Sequence, residues 1–353
     1  MRRITPVLLL ALVIGPVHGQ LGEKVRNTLV NVSTTLPDYD TTYVAAYRSN
    51  LVISVVSNWH DIDLSLERDE GGDLSYSTNS RGQYGFSLNY KWLSAEITFG
   101  VPALDGHDAS YGNTSSRGFG LGYTGRRLWG RIFWDKTQGF YQNDPERWTA
   151  GWETGDPQIL RPDLACNTYL LSLNYALSNK KRFSQNAALF QMERQKKSAG
   201  TMVTGLSAWY SHVTADTSIL SPALVDTFLL DTGFKDVGRF IIGGTFGYAH
   251  TFAFWKKGFI HTALVPGVTY IHQTIETPNG TLSGDGGAFI LEFKLGAGFN
   301  GDRWYSAITT AYYYSSAQIS EKLSLSTNYG FVRFAVGIRL GDPGIKALGK
   351  VGL

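Results

Sequence analysis

The sequence predicts an all-β chain that folds as a transmembrane, antiparallel, up-and-down β-barrel of about 12–14 strands. Apolar residues recur at every second position through most of the chain, which is the period of a β-strand. The alternating segments commonly reach about ten residues, longer than the strands of ordinary sheets and long enough to cross a bilayer. After the N-terminal region no window holds about 18 uninterrupted apolar residues, so no spanning helix is expected.

The composition of the chain agrees with this fold class. Gly contributes 40 of 353 residues and aromatic residues make up 13%, whereas Met contributes only three. A hydrophobic content of 43% excludes a disordered chain, and the single Cys166 excludes a disulfide scaffold. A formal net charge of +3 is too balanced for a protein that mainly binds nucleic acid, so no nucleic-acid partner is expected.

The N-terminus has the order of a secretory signal peptide. Arg2 and Arg3 precede an apolar run over 7–14, and Pro16 ends this run before a predicted cleavage site ahead of Gln20. A membrane anchor is the alternative, but such a short run spans only about 12 Å as a helix, against about 30 Å of hydrocarbon. The expected division of the chain is a signal peptide at 1–19, a periplasmic segment at 20–49, the barrel at 50–340 and a periplasmic tail at 341–353.

Candidate strands follow one another along the rest of the chain. The cleanest alternation lies at 84–92, 93–101, 117–124, 168–177, 238–254, 287–299 and 330–340. Weaker alternation lies at 51–58, 61–67, 127–136, 183–192, 200–212, 258–271 and 303–315. In the clean segments, large and often aromatic residues occupy one face, and small or polar residues occupy the other. We expect the aromatic face to contact lipid, because apolar side chains could not fill the lumen of so many strands.

The last candidate strand, 330–340, is expected to close the barrel. Val332, Phe334 and Val336 share one face, and Arg333 and Arg339 share the other. An open sheet edge cannot be satisfied in lipid, so this strand must pair with the first strand, for which 51–58 is the best candidate. Such terminal strands also serve as signals for the barrel assembly machinery. The Gly- and Pro-containing tail does not favour a strand and is expected to be dispensable.

The connections between strands contain one conflict. Short turns at 92–93, 125–126, 256–257 and 300–302 should face the periplasm, and long polar loops should face the cell exterior. Strict alternation of the two holds from 51 to about 190 and again from 200 onward, but the two parts are out of phase by one strand. Either a strand is miscounted between 183 and 236, or a further strand lies within Ser221–Phe234.

Several short motifs resemble those of a known family. They are Tyr84-Gly85-Phe86 with Asn89-Tyr90-Lys91-Trp92-Leu93, Gly139-Phe140-Tyr141, Arg161-Pro162-Asp163-Leu164, Lys181-Arg182-Phe183-Ser184 with Ala187-Ala188, Gln195-Lys196-Lys197-Ser198-Ala199-Gly200, and Asp40-Thr41-Thr42-Tyr43-Val44. Over most of residues 38–340 the chain resembles the family called domain of unknown function 4421. The resemblance implies an exported outer-membrane β-barrel of Bacteroidota, and it implies no activity, because that family has no assigned function.

Charged residues on the inward phase are the first candidates for a functional site. They are Lys91, Glu96, Glu292, Lys294, Arg333 and Arg339. One interpretation is a charged lumen that tunes the passage of solutes. The other is an internal network of salt bridges that fills and stiffens the barrel, and the mixture of opposite charges favours it. The basic segment 194–197 is either a solvated turn or a contact for anionic lipid or lipopolysaccharide.

Histidines offer a weaker candidate site. His250, His261 and His272 are spaced by eleven residues on neighbouring candidate strands, where they are weak candidates for a metal site or a general base. The spacing matches no known ligand motif. Ser211 and His212 are adjacent, but neighbours in a strand point to opposite faces. No catalytic residue, bound metal or cofactor is therefore expected.

The function expected from the sequence is that of an outer-membrane β-barrel protein, either structural or a narrow solute conduit. Its expected partners are outer-membrane lipid and the barrel assembly machinery, with lipopolysaccharide as a further candidate. Two alternatives stay open. One is an outer-membrane barrel enzyme that acts on lipid or glycan, and the other is a soluble secreted β-protein that binds carbohydrate.

Overall fold

The computed structural model describes residues 38–68, 73–80, 82–104, 108–149, 151–178, 180–220, 234–320 and 323–344. The expected signal peptide lies outside these residues, as do residues 20–37, most of Ser221–Phe234 and the tail beyond Gly344. The strands are β1 (Val44–Ala46), β2 (Leu51–Arg68), β3 (Leu74–Ser77), β4 (Gly82–Tyr90), β5 (Leu93–Gly100), β6 (Ser115–Thr124), β7 (Leu128–Gln142), β8 (Leu160–Ala176), β9 (Glu193–Gln195), β10 (Ala199–Thr214), β11 (Asp236–Phe254), β12 (Gly258–Thr277), β13 (Gly280–Asn300), β14 (Trp304–Ser320) and β15 (Leu323–Leu340). Two one-turn α-helices, α1 and α2, span Pro145–Trp148 and Asn186–Leu189, and 3-10 turns span Pro102–Leu104 and Ala109–Tyr111.

Twelve antiparallel strands form a closed wall, as the predicted fold class requires. In order around the barrel they are β2, β4, β5, β6, β7, β8, β10, β11, β12, β13, β14 and β15. The wall closes where β15 pairs with β2, in a register that runs from Leu323 opposite Arg68 to Leu340 opposite Leu51. The predicted pairing of the last strand with segment 51–58 is confirmed. Closure satisfies the edge N–H and C=O groups, which lipid could not do.

Side chains along the wall alternate between the outside and the lumen, as the sequence pattern predicts. On β13, Leu291 is 49% exposed, whereas the next residue, Glu292, is 6% exposed. On β15, Phe334 is 50% exposed, and its neighbours Arg333 and Ala335 are buried. The exposed residues form the apolar outer band that a membrane barrel needs. The aromatic phase therefore lies on the outside of the barrel.

The strands that make up the wall change toward the end of the barrel at which β2 ends. β2 pairs with β4 up to Trp59, and then with β3 over Leu64–Leu66. β7 pairs with β6 up to Gln138, and then with β3 at Tyr141–Gln142. At this end of the barrel, β3 alone connects β2 to β7, in place of β4, β5 and β6. The barrel is therefore narrower here.

At this narrow end, the lumen is filled by apolar side chains, here called the cap. They are Leu64, Leu74, Tyr76, Phe140, Trp148, Leu164, Cys166, Val213, Ile219, Leu220, Phe234, Val237 and Ile275. A second buried cluster, which includes Phe133, Trp209 and Ile271, also lines the lumen. The expectation of a polar inner face is therefore wrong at this end. It assumed a lumen too wide for apolar residues to fill, and β3 narrows that lumen.

The segment that caused the phase conflict is not a strand. Candidates 51–58 and 61–67 form one continuous strand, β2, and residues 183–192 contain α2 and no strand. β8 ends and β10 begins at the same end of the barrel, and β10 then pairs directly with β11. The strands before and after this segment therefore alternate in direction without interruption, and no further strand is needed between β10 and β11. Residues 183–192 mimic a strand in sequence because apolar side chains are interspersed with polar ones that are also buried inside the barrel.

Candidate functional site

Residues 180–198, here called the plug, leave the wall between β8 and β10 and fold into the lumen at the end of the barrel opposite the cap. β9 of the plug pairs with β1, with Val44 opposite Gln195. Ser184 and Ala188 in the plug are completely buried. Two motifs that carry the family resemblance, at 181–188 and 195–200, lie in the plug or directly after it. A third, at 40–44, is distant in sequence but contacts the plug through main-chain hydrogen bonds from Asp40 to Lys181 and from Lys196 to Tyr43.

A buried ion pair holds the plug to the segment between β1 and β2. Nε of Arg48 donates to the Glu193 carboxylate, and the two residues are 3% and 0% exposed. The hydroxyl of Ser184 donates to the other carboxylate oxygen. Nη1 of Arg48 donates to the carbonyl of Lys91 at 3.3 Å. A charge pair at this depth is stable only when both partners are present, so it acts as a latch.

The plug is also fastened to the opposite part of the wall. Nδ2 of Asn300 donates to the carbonyls of Ala187 and Glu193, at 3.0 and 2.8 Å. Nη2 of Arg339 donates to the carbonyl of Gln191 at 2.5 Å. Most of these contacts join side chains of the wall to main-chain carbonyls of the plug, so they depend on the path of the plug more than on its side chains.

Asp302, in the turn between β13 and β14, forms a third attachment of the plug, at the rim of the barrel. It accepts hydrogen bonds from Nη1 of Arg194 at 2.7 Å and from the hydroxyl of Tyr47 at 2.9 Å, and it lies 3.0 Å from Nζ of Lys257. Contacts with Lys257 and Tyr47 hold the pKa of Asp302 well below its usual value. Burial, aided by the hydrogen bond to Asp302, raises the pKa of Tyr47 to about 12, so the phenol stays a donor.

Above the plug, a single carboxylate organises the charges of the lumen. Glu96 on β5 accepts from Nη2 of Arg131 on β7 at 2.9 Å and from Nε of Arg333 on β15 at 3.0 Å. Nδ2 of Asn58 on β2 donates to the same carboxylate at 2.9 Å. Since β5 and β15 are not neighbours in the wall, these contacts cross the inside of the barrel. Two guanidinium groups share one carboxylate, and this leaves a positive charge.

A chamber of about 110 Å³ lies beside this network, between the plug and the cap. Its floor includes Leu189 and Phe190 of the plug, and its walls include Trp129, Phe133 and Lys294. This volume holds several water molecules or one small solute. Nζ of Lys294 is 2.5 Å from the carboxylate of Glu292. Around the chamber, the three cations Arg131, Arg333 and Lys294 therefore face the two carboxylates of Glu96 and Glu292. The net charge of these five groups is +1.

Three buried polar atoms that line the chamber have no hydrogen-bond partner among the residues that the structure describes. They are Oδ1 of Asn58, Oδ1 of Asn89 and Nε1 of Trp129. An unpaired buried polar atom costs about 1–3 kcal/mol, a cost removed when water or a solute binds it. The chamber therefore has the chemistry of a solvated or ligand-binding cavity.

The charged residues expected in the lumen fall into three places. Glu96, Arg333, Glu292 and Lys294 surround the chamber, whereas Arg339 lies lower and contacts the plug. Lys91 lies in the tight turn after β4 at a φ of 53°, with its ammonium 5.3 Å from the centre of the Tyr90 ring. Sequence reasoning missed Arg131, Arg48 and Glu193. Arg131 lies on a strand that alternates weakly, and the other two lie outside the wall.

The three spaced histidines do not meet. His261 is completely buried on the inner face, where its ring contacts Thr251 Oγ1 at 2.9 Å and Gln185 Nε2 of the plug at 3.3 Å. His250 and His272 lie on the outer phase of their strands; Nδ1 of His272 is 2.8 Å from Asp285. A ligand could not contact both faces of the wall at once. Within the described residues no group of three or more His, Cys, Asp or Glu side chains could hold a metal ion.

The remaining sequence candidates for catalysis also stay apart. Ser211 is buried in the lumen, whereas Nε2 of His212 lies on the other face, 2.7 Å from Asp236. Sγ of Cys166 is buried 3.7 Å from the hydroxyl of Thr168. None of the helices in the described part of the chain is both long enough and apolar enough to cross a membrane.

These features define a class: a closed, membrane-spanning β-barrel with a lumen filled by a plug and a cap. The sequence matches the family described as domain of unknown function (DUF4421) over residues 38–339. The chain belongs to this family. No curated protein matches the sequence.

Solved structures with a similar arrangement are outer-membrane proteins. The outer membrane protease OmpT from Escherichia coli is 12% identical and aligns over 84% of this chain and 98% of its own, with a TM-score of 0.38. The translocator domain of the autotransporter NalP from Neisseria meningitidis is 11% identical over 91% and 96%, with a TM-score of 0.31. The toluene transporter TodX of P. putida is 10% identical over 83% and 90%, with a TM-score of 0.28. At these scores the likeness carries no argument about function.

Proposed function

We propose that this protein is an outer-membrane β-barrel with a narrow lumen that conducts small anionic solutes, and that the cap and the plug close this lumen in the arrangement described. The observation that carries the proposal is the chamber. A barrel that serves only as a scaffold gains stability from a fully packed or fully hydrogen-bonded interior. This barrel instead keeps a cavity between two separate closures, and its lining includes charged side chains and unpaired polar atoms.

The preference for anions follows from the charges around the chamber. Arg131 has the most accessible of the charged side chains in the Glu96 network, at 26% exposure against 10% for Arg333 and 6% for Glu96. The three cations and two carboxylates leave one excess positive charge inside a wall of low dielectric constant. Such a field raises the local concentration of anions and lowers that of cations.

We also propose that the protein is exported and inserted into the bacterial outer membrane. Residues 1–19 direct export, and β15 presents the signal for the barrel assembly machinery. The apolar outer band then faces the outer-membrane lipid of a bacterium, of Bacteroidota as the resemblance implies, with lipopolysaccharide as the outer-leaflet contact. No catalytic centre is part of the proposal.

Planar-bilayer conductance with each closure removed in turn tests the proposal. One variant replaces residues 180–197 with a short Gly-Ser turn. A second opens the cap by shortening the loops 143–159 and 215–235 and by truncating Tyr76 and Phe140 to Ala. A third combines both changes. Either closure alone should keep the conductance low, and the combined variant should conduct steadily. In a salt gradient its reversal potential should show anion selectivity, and adding Arg131→Gln should reduce that selectivity.

Heat-modifiable mobility in mild detergent must first show that each variant has folded. A combined variant that folds but does not conduct would mean that the interior is solid, and the barrel would then be structural. Conductance with unchanged anion selectivity after Arg131→Gln would remove the chamber from the pathway.

A further inference from the structure

A second cavity, of about 190 Å³, opens at the periplasmic rim where the plug leaves the wall. The pairing of β8 with β10 ends at Ala176 opposite Val203, so the first residues of β10 have no partner on β8 in the ladder. The turn between β6 and β7 and the first residues of the plug border this notch. The cavity is therefore a built gap in the rim of the barrel.

The lining of this cavity is strongly basic. Arg126, Arg127, Lys180, Lys181 and Arg182 all border it. Lys196 and Lys197 lie beside it, since both contact the segment 41–43. Two carboxylates oppose these seven cations: Asp38 pairs with Lys181, and Asp40 lies 3.7 Å from Arg182. The excess of five positive charges exceeds the net charge of +3 of the whole chain.

Two of the cations are available for a ligand. Within the described residues, no carboxylate forms an ion pair with Arg126 or Lys180. Ser178, Ser198 and Thr201 also belong to the lining of the cavity. A cluster of guanidinium and ammonium groups beside polar residues is suited to the oxygens of a phosphate group.

The height of the cavity in the barrel places it beside membrane headgroups. The guanidinium of Arg127 lies 4.5 Å from the centre of the Tyr175 ring, and Tyr175 is on the outer face at the periplasmic end of β8. Leu177 and Met202, at the same end, are exposed on that face. Aromatic residues at the end of an apolar band mark the membrane–water interface, so the cavity lies at the level of the inner-leaflet headgroups.

We infer that this cavity binds the phosphate of an anionic phospholipid headgroup in the inner leaflet of the outer membrane. Charge complementarity favours an anionic lipid over a zwitterionic one, because the seven cations in and beside the cavity exceed the two carboxylates that pair with them by five charges. The bound headgroup would neutralise cations on both the wall and the plug. It would thereby hold the base of the plug against the rim.

Native mass spectrometry of the full-length folded barrel in detergent tests the site with three probes. These are phosphatidylglycerol, phosphatidylethanolamine and inorganic phosphate. Phosphatidylglycerol should bind more tightly than phosphatidylethanolamine. The double change Arg126→Gln with Lys180→Gln should weaken the binding of phosphatidylglycerol about 25-fold, at roughly fivefold for each cation. The conservative pair Arg126→Lys with Lys180→Arg should retain binding.

A matched control removes two cations from other turns of the same rim, through Lys256→Gln with Arg303→Gln. This control should leave the binding of phosphatidylglycerol nearly unchanged. Equal affinity for the two lipids, or equal losses in the two double variants, would overturn the inference. Displacement of the lipid by inorganic phosphate at comparable concentrations would also overturn it, because the cavity would then be a site for free phosphate.

Discussion

Replacing Glu193 by Gln should release the plug without opening the wall. Gln keeps the shape of the side chain and removes its charge, so the guanidinium of Arg48 stays buried without a counter-ion. Nη2 of Arg48 already has no hydrogen-bond partner among the described residues, so little remains to compensate the loss. Breaking a buried pair on one side typically costs about 3–5 kcal/mol. The twelve strand pairings of the wall do not involve either residue.

Trypsin cleavage after Arg194 measures this release. Arg194 lies in β9, and its side chain is 15% exposed, so cleavage there requires β9 to separate from β1. If opening is fast relative to cleavage, a loss of about 3–5 kcal/mol raises the cleavage rate about 10²- to 5 × 10³-fold. The peptide that ends at Arg194 can be quantified by mass spectrometry while heat-modifiable mobility reports on the barrel.

A matched double variant separates the charge from the packing. Arg48→Met with Glu193→Leu removes both charges and fills similar volume, so protection should return toward that of the wild type. If Glu193→Gln raises cleavage less than about threefold, the opening free energy has changed by well under 1 kcal/mol, and the ion pair is not the latch.

Three further predictions concern the wall and its ends. Leu291→Arg should destabilise the barrel by about 2–4 kcal/mol in denaturant unfolding, whereas Thr281→Arg, on the same face of β13 but next to the β12–β13 turn, should cost about 0–1 kcal/mol. Equal costs would contradict the assigned membrane depth. Deleting residues 345–353 should leave an assembled barrel, whereas deleting 336–353 should abolish assembly, because it removes the closing pairs from Val336 to Leu340. If the shorter deletion alone prevents assembly, the final strand has been assigned to the wrong residues. Because the pKa of Asp302 is lowered, its contribution to stability is complete above the ordinary carboxylate pKa and is lost only as the pH falls through the lower folded-state pKa. Hydrogen exchange of β9 should therefore stay slow near pH 4 in the wild type and be faster in Asp302→Asn. Equal exchange rates in the two proteins would exclude this attachment.

The wall of the barrel could be predicted from sequence to a large extent. Alternation alone identified the inner and outer faces of 287–299 and 330–340 and the pairing of the last strand with the first, because a residue's face depends only on its position along its own strand. Strand number was less certain, because nothing in the sequence of Trp59–Asp61 shows that β2 continues through it.

The lumen could not be predicted to the same extent. The contact of Glu96 with Arg333 joins strands that are not neighbours, so it depends on the register of every strand pairing between them. The plug was mistaken for a strand, because Phe183, Ala187 and Phe190 are interspersed with polar residues that are also buried. Sequence patterning assumes that polar side chains face water, and inside this barrel Gln185 and Glu193 face protein.

The central claim is that residues 180–198 lie inside the lumen, and thiol labelling of Ala188→Cys in a Cys166→Ser background tests it most directly. Ala188 is completely buried, whereas Ser198 at the end of the plug is exposed. A membrane-impermeant maleimide should label the Ala188→Cys protein at least about a hundredfold more slowly than a Ser198→Cys protein, and the difference should vanish on unfolding. Equal labelling rates in the folded barrel would contradict the plugged lumen.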